Sequence, residues 1–165
     1  MLANGPRRKR HFAVAALAAA LVSTAAVYGQ DVSRAGLGLA SFEGISVSSA
    51  ERTDLSRLTD AGVLVADGAG TLVVTIGGEL KSKTEKDGSI GVLLLPDVAP
   101  FETAFRSRRA LLVTQEAIAR ISSGESGYFI SSPQRFDVGF PRYRVLLYNT
   151  TGAAVSASVF VYRSR

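Results

Sequence analysis

The chain has 165 residues, 47% hydrophobic and 20% charged, a globular balance with room for one domain. It contains no cysteine, and its only histidine and methionine are His11 and Met1. The chain beyond His11 therefore offers no disulfide, no Cys–His or Ser-His-Asp catalysis, no zinc site of Cys and His, and none of the usual haem, copper or iron–sulfur ligands. No cofactor is expected. What remains is carboxylate chemistry, oxygen-ligand calcium binding, a Ser–Lys nucleophile, or no chemistry.

The net charge of +5 suggests a nucleic-acid partner until its origin is located. Arg7, Arg8, Lys9 and Arg10 hold four of the 19 basic residues, leaving 15 against 14 acidic ones. A basic cluster before an apolar segment is first a topology signal, so no nucleic-acid partner is expected. The remainder is uneven along the chain: residues 31–100 are net acidic and residues 101–165 net basic. The plain reading is that the halves intermix in the fold; the sharper one is an acidic face and a basic face.

Residues 1–11 form the basic head, and residues 12–28, FAVAALAAALVSTAAVY, carry no charge. As a helix at ~1.5 Å per residue they reach about 25 Å, short of a ~30 Å hydrocarbon core. Eight of these residues are Ala, which gains little from lipid. The segment has the form of a signal peptide, with small residues for cleavage in Ser23-Thr24-Ala25 or Val27-Tyr28-Gly29. It also reads as a membrane helix that packs against others, through Ala15 with Ala19 and Ala16 with Ala20. Arg7–Arg10 then stay in the cytoplasm, and the rest of the chain lies on the periplasmic side. Tyr28 suits the membrane interface.

Residues 29–45 are Gly- and Ser-rich and read as a tether, leaving 46–165 as the β-domain. A short strand is expected near Gly44–Ser48. The Ser48/Glu51 spacing followed by Leu55 and Leu58 predicts a short helix over 50–59. Strands follow at GVLVAD (62–67) and TLVVTIGGEL (71–80), on either side of the DGAG turn. KSKTEKDG (81–88) reads as a polar loop, SIGVLLLPD (89–97) as a buried strand, and FETAFRS (101–107) alternates weakly. From RRALLVTQEAIARISSG (108–124) the pattern predicts a strand through Val113, then a short helix capped by Thr114. GYFISS (127–132) and the two runs of RYRVLLYNTTGAAVSASVFVYRS complete the set. In the last run Val155, Ala157, Val159 and Val161 share one face, and Ser156, Ser158, Phe160 and Tyr162 the other. The fold class implied is mainly β: an antiparallel β-sandwich, jelly-roll-like or Ig-like, preceded by one apolar helix.

No motif specifies a reaction. DGAG and IGGEL lack phosphate-loop spacing, and Gly77-Gly78 inside a strand reads as a bulge. Asp60, Asp67, Glu85, Asp87 and Asp97 are scattered among turns, where Asp usually serves the turn; a hydrolase needs two carboxylates facing each other. Lys81, Lys83 and Lys86 share one polar loop and read as solvated. Arg106, Arg108, Arg109, Arg142, Tyr143 and Arg144 combine Arg with aromatic residues and form the candidate docking surface. Carbohydrate binding instead predicts an exposed aromatic platform drawn from Tyr128, Phe129, Tyr143 and Tyr148.

The leading expectation is a non-enzymatic, single-pass accessory subunit of the inner membrane that scaffolds a larger complex, photosynthetic or respiratory for example. Its partners are the bilayer and other membrane subunits, met through the helix and the periplasmic domain. The alternative is a secreted or periplasmic binding module with a carbohydrate or protein ligand, released by cleavage. A carboxylate hydrolase is a distant third.

Overall fold

The structure, a computed structural model, describes residues 37–109 and 114–165. The basic head, residues 12–28 and the alanines assigned to helix packing lie outside the described residues. Among the described residues no helix is long and apolar enough to cross a membrane.

The described residues form nine strands in chain order: β1 (Gly38–Val47), β2 (Thr59–Val65), β3 (Thr71–Leu80), β4 (Gly88–Pro96), β5 (Gln115–Ile121), β6 (Gly127–Ile130), β7 (Gln134–Asp137), β8 (Arg142–Asn149) and β9 (Val155–Ser164). One helix, α1 (Ala99–Ala104), leads into a π-type turn at Phe105–Arg109. The first sheet has the order β1-β9-β3-β6, with β7 also on β3, and the second has β2-β8-β4-β5. Every pairing is antiparallel. The molecule is mainly β, as its composition of short alternating runs implies.

The alternation in β9 is reproduced: Val155, Ala157, Val159 and Val161 are buried, and the intervening side chains face outward. The same inward row continues on β3 with Leu72, Val74 and Ile76, and meets Ile90, Val92 and Leu94 of β4 and Val145 and Leu147 of β8 in one shared core. The two sheets thus bury their facing sides against each other, the arrangement by which an amphipathic sheet leaves water.

A second cluster lies on the far side of the second sheet. Leu93 and Leu95 of β4 and Leu146 and Tyr148 of β8 point outward, beneath Leu55, Leu58, Phe101 and Phe105. This explains the unbroken apolar run of β4: Leu94 and Leu93 alternate between two separate interiors, so neither face of the strand needs polar residues.

Several expectations give way. Residues 38–45 belong to β1, paired with β9, so the tether does not extend past Leu37. Residues 51–58 form turns rather than a helix, and Ala50 bridges to Asn149. Residues 99–104 are helical, started by Pro100 in the first turn. Gln115–Ile121 is a strand on β4 rather than a helix capped by Thr114; alternate Ala117, Ala119 and Ile121 fill the core, which outweighs local helix propensity. The strand expected from residue 108 through Val113 begins inside the π-type turn Phe105–Arg109, and its remainder, 110–113, lies outside the described residues.

Gly77-Gly78 is not a bulge, since β3 runs against β9 without a break from Thr71 to Leu80. A Cβ on Gly78 would come 2.2 Å from the Ser156 carbonyl oxygen and 3.0 Å from the Phe129 ring. The glycine is there for close approach, with Phe129 packed over it.

Strands β6 and β7 lie end to end on one edge of β3. Between them the Ser131 N–H donates to the Ile76 carbonyl (2.8 Å), while the Ile76 N–H donates to Ser131 Oγ (3.0 Å). The serine hydroxyl thus replaces a backbone acceptor where the ladder is interrupted before Pro133, which has no N–H to offer.

Candidate functional site

Of the five arginines assigned to a docking surface, Arg106, Arg142 and Arg144 are engaged with carboxylates of the chain itself. Arg144, on β8, donates from Nε and Nη2 to Asp60 Oδ2 (3.2 and 2.7 Å) and sits 3.6 Å from Glu102. The hydrogen bond to Asp60 raises the Arg144 pKa further. Arg106 donates twice to Glu102 Oε1 (3.2 and 2.9 Å), and Arg142 pairs with Asp97 at 3.1 Å. These groups form a charge lattice that ties α1 to β8 and, through Arg144, to Asp60 of β2. Arg108 and Arg109 close the π-type turn, and their side chains lie outside the described part. Tyr143 is not on this surface: it is 2% exposed, and its hydroxyl accepts the N–H groups of Gly139 (2.9 Å) and Phe140 (3.1 Å) to hold the β7–β8 corner.

The pairs Asp60–Arg144, Asp97–Arg142 and Glu116–Arg52 each join the acidic half of the chain to the basic half. The halves interleave because β2 and β4 pair with β8 and β5. The intermixing reading therefore holds for these groups.

Two carboxylates also hold turns and loops. Asp60 Oδ1 accepts the Gly62 N–H (2.9 Å), and Asp87 accepts the Ser123 N–H (2.7 Å). Thr84 adds a bond from Oγ1 to the Ser122 carbonyl (2.7 Å), and Ser123 Oγ donates to the Glu85 carbonyl (3.1 Å). The 81–87 loop is thereby fastened to the 122–126 loop. Lys81 pairs with Glu79, and Lys81, Lys83 and Lys86 are all exposed. Among the described residues no cluster of three or more carboxylates could hold a metal ion.

The four aromatics of the expected platform divide. Tyr148 is 3% exposed; its hydroxyl donates to Glu116 Oε1 (2.7 Å), and Arg52 holds the other oxygen of Glu116 (2.9 Å). Burial pushes the Tyr148 hydroxyl pKa far above its ordinary value, and the bond to Glu116 adds to the rise. Phe129 turns inward against the core, and Tyr143 is buried. Tyr128 alone stands out, at 89% exposed.

Tyr128 has company that the sequence reading missed. Ile130, Leu39 and Tyr162 are 76%, 64% and 54% exposed, and all lie on the outer face of the first sheet. The signal was legible in part: Phe160 and Tyr162 had been placed opposite the valines of β9, but nothing local says whether that face is covered.

A cleft of about 280 Å³ opens at one rim between the sheets, lined by Leu94, Phe101, Gln115, Asp137, Phe140 and Tyr143 among others. Phe101 meets Phe140 edge-to-face at 4.8 Å, and Phe140 meets Tyr143 at 6.3 Å. Gln115 Nε2 donates to the Asp137 carbonyl (2.8 Å), and Gln115 Oε1 is buried without a hydrogen-bond partner. Asp137 is the only carboxylate in its described lining, so the cleft lacks the facing pair that glycoside hydrolysis requires.

No protein-family model matches the chain, and no curated protein is significantly similar to it. The geometry alone carries the functional reading.

Proposed function

We propose that this chain is a non-enzymatic binding module that works outside the cytoplasm and engages its ligand through the open face of the first sheet. One observation carries the reading. The outer face of the second sheet is covered by the chain's own Leu55, Leu58, Phe101 and Phe105, whereas the outer face of the first sheet leaves Leu39, Tyr128, Ile130 and Tyr162 in solvent. Large side chains that no described residue covers on one face mark an interaction surface.

The strand orders support the jelly-roll form of the sandwich. With β6 and β7 taken as one strand broken at Ser131–Pro133, eight strands divide into two four-stranded sheets, and the chain passes from one sheet to the other at every step except β4 to β5. An Ig-like sheet would instead place β1 and β2 side by side.

The alternative is a single-pass accessory subunit held by residues 12–28 in a membrane complex. Its docking surface would draw on Arg106, Arg142 and Arg144, and the internal pairing of all three favours the binding module. Intact mass of the protein from its native source separates the two. The module reading expects loss of the first 25 to 29 residues, matching the two cleavage sites, and a soluble periplasmic or secreted product. A full-length chain that co-purifies with membrane subunits after mild detergent extraction would overturn it.

A further inference from the structure

We propose that Tyr128 is an oxidative coupling site: hydrogen peroxide and a one-electron oxidant of the haem-peroxidase class join it to Tyr128 of a second copy of this chain as dityrosine. The inference goes beyond the binding-module reading and holds whatever ligand the open face takes.

Composition supplies the first observation. Oxidants attack the sulfur of Cys and Met before most other groups, and among the remaining side chains they favour Trp, His and Tyr. Cysteine and tryptophan are absent, and the only methionine and histidine are Met1 and His11, before the described residues. Tyrosine is thus the one readily oxidised side chain among the described residues. No other group there takes the oxidant first, and the core holds no thioether that oxidation would make polar.

Burial then selects among the four described tyrosines. Coupling needs ring carbons of two molecules in contact, which Tyr143 and Tyr148, at 2% and 3% exposed, cannot offer. Tyr128 is 89% exposed and Tyr162 54%. Tyr128 lies across from Glu79, which is engaged by Lys81, and its strand β6 is at the edge of the sheet. Tyr162 lies across from Val73, as does Arg135, whose only side-chain bond is to the Thr71 hydroxyl (3.2 Å) and which keeps its charge. That charge repels the like group of a second copy, so Tyr162 couples after Tyr128.

The registers make the coupling intermolecular. Tyr128 and Tyr162 are set against Glu79 and Val73 of β3, six residues or about 20 Å apart at ~3.3 Å each, so their rings cannot meet within one chain. In the reaction each phenol loses the hydrogen atom of its O–H. The two phenoxyl radicals form one C–C bond between ring carbons next to the oxygens, and the hydrogens on those carbons return to the oxygens. The peroxide O–O bond breaks, takes up the two electrons and two protons, and leaves as two waters. Radicals couple on encounter, so no fit between the two surfaces is required. With Tyr162 as a slower second site, dimers extend into oligomers.

The experiment treats the full chain with hydrogen peroxide and a haem peroxidase and follows dityrosine fluorescence and covalent dimers under denaturing conditions. Cleavage after Lys and Arg releases Ile121–Arg135, which holds no tyrosine except Tyr128. The first product expected is this peptide joined to itself, with links to Tyr162 appearing later. Tyr128→Phe should remove most of the dimer and Tyr128→Phe/Tyr162→Phe the rest, while thermal unfolding of both variants, and of the coupled wild-type chain, stays that of the untreated protein. The same linked peptide is expected in protein taken from its native source after growth with peroxide. First links that map to Tyr28, Tyr143 or Tyr148, a dimer that survives in the double variant, unfolding on oxidation, or native material free of the linked peptide would each overturn the proposal.

Discussion

Gly91 and Tyr148 show how much one position decides. They face each other across β4 and β8, and a Cβ on Gly91 would come 2.3 Å from the Tyr148 ring. The glycine is a socket for the ring, which in turn reaches Glu116. Gly91→Ala is expected to cost about 1–3 kcal/mol by overpacking, read as a lower denaturant midpoint. Most of that penalty should vanish in a Tyr148→Ala background, where the methyl group meets no ring. Tyr148 also sets an alkaline limit. Its folded pKa is raised above the unfolded value, so the neutral hydroxyl is favoured by folding. Its contribution is complete below about pH 10 and is lost as pH climbs toward the folded pKa. Urea unfolding followed against pH should show stability falling above that point, and Tyr148→Phe should flatten the fall. A fall of equal slope in the variant would assign it to other groups.

At the scale of elements, α1 is held less by its own turn than by what it touches. It has six residues, no side-chain cap and no buried residue, far below the length at which a helix is stable alone. Phe105, just beyond it, is fully buried, and Glu102 reaches Arg106 and Arg144. Arg144→Ala should therefore loosen residues 99–109 and cost about 1 kcal/mol, since both carboxylates retain some solvent. Limited proteolysis in that stretch should accelerate while cleavage in the strands does not. Arg144→Lys should restore only part of the protection, because an ammonium cannot bridge two carboxylates with a planar fork. The same reasoning accounts for what was legible. Strands β3, β4, β8 and β9 were evident because each carries six or more residues of one pattern. The helix at 99–104 and the strand at 115–121 were misread because their local signals are weak and their state follows from contacts with β4.

The described residues form two sheets and a cover, and β4 reports on both. Leu94 faces the core between the sheets; Leu95 faces the cluster under α1 and the 51–58 turns. Leu94→Ala and Leu95→Ala should both cost about 2–5 kcal/mol in denaturant unfolding. In a two-layer molecule with a wet outer face, only Leu94→Ala would. The exposed Tyr128→Ser, on the uncovered sheet, should change stability by less than about 0.5 kcal/mol.

The amino-acid sequence by itself determined the β class, the alternation of the long strands, the lack of any cysteine and of any histidine beyond His11, and the concentration of basic charge before residue 12. These follow from composition and from a period of two, which any strand must obey wherever it lies. Tertiary structure alone decided which face of each sheet is covered, that Arg106, Arg142 and Arg144 are spent on internal carboxylates, and that Tyr143 and Tyr148 are interior while Tyr128 and Tyr162 are not. Period two separates the faces of a strand but does not say what lies above them; that depends on the turns around Leu55 and Leu58 and the segment of Phe101 and Phe105 folding over the second sheet.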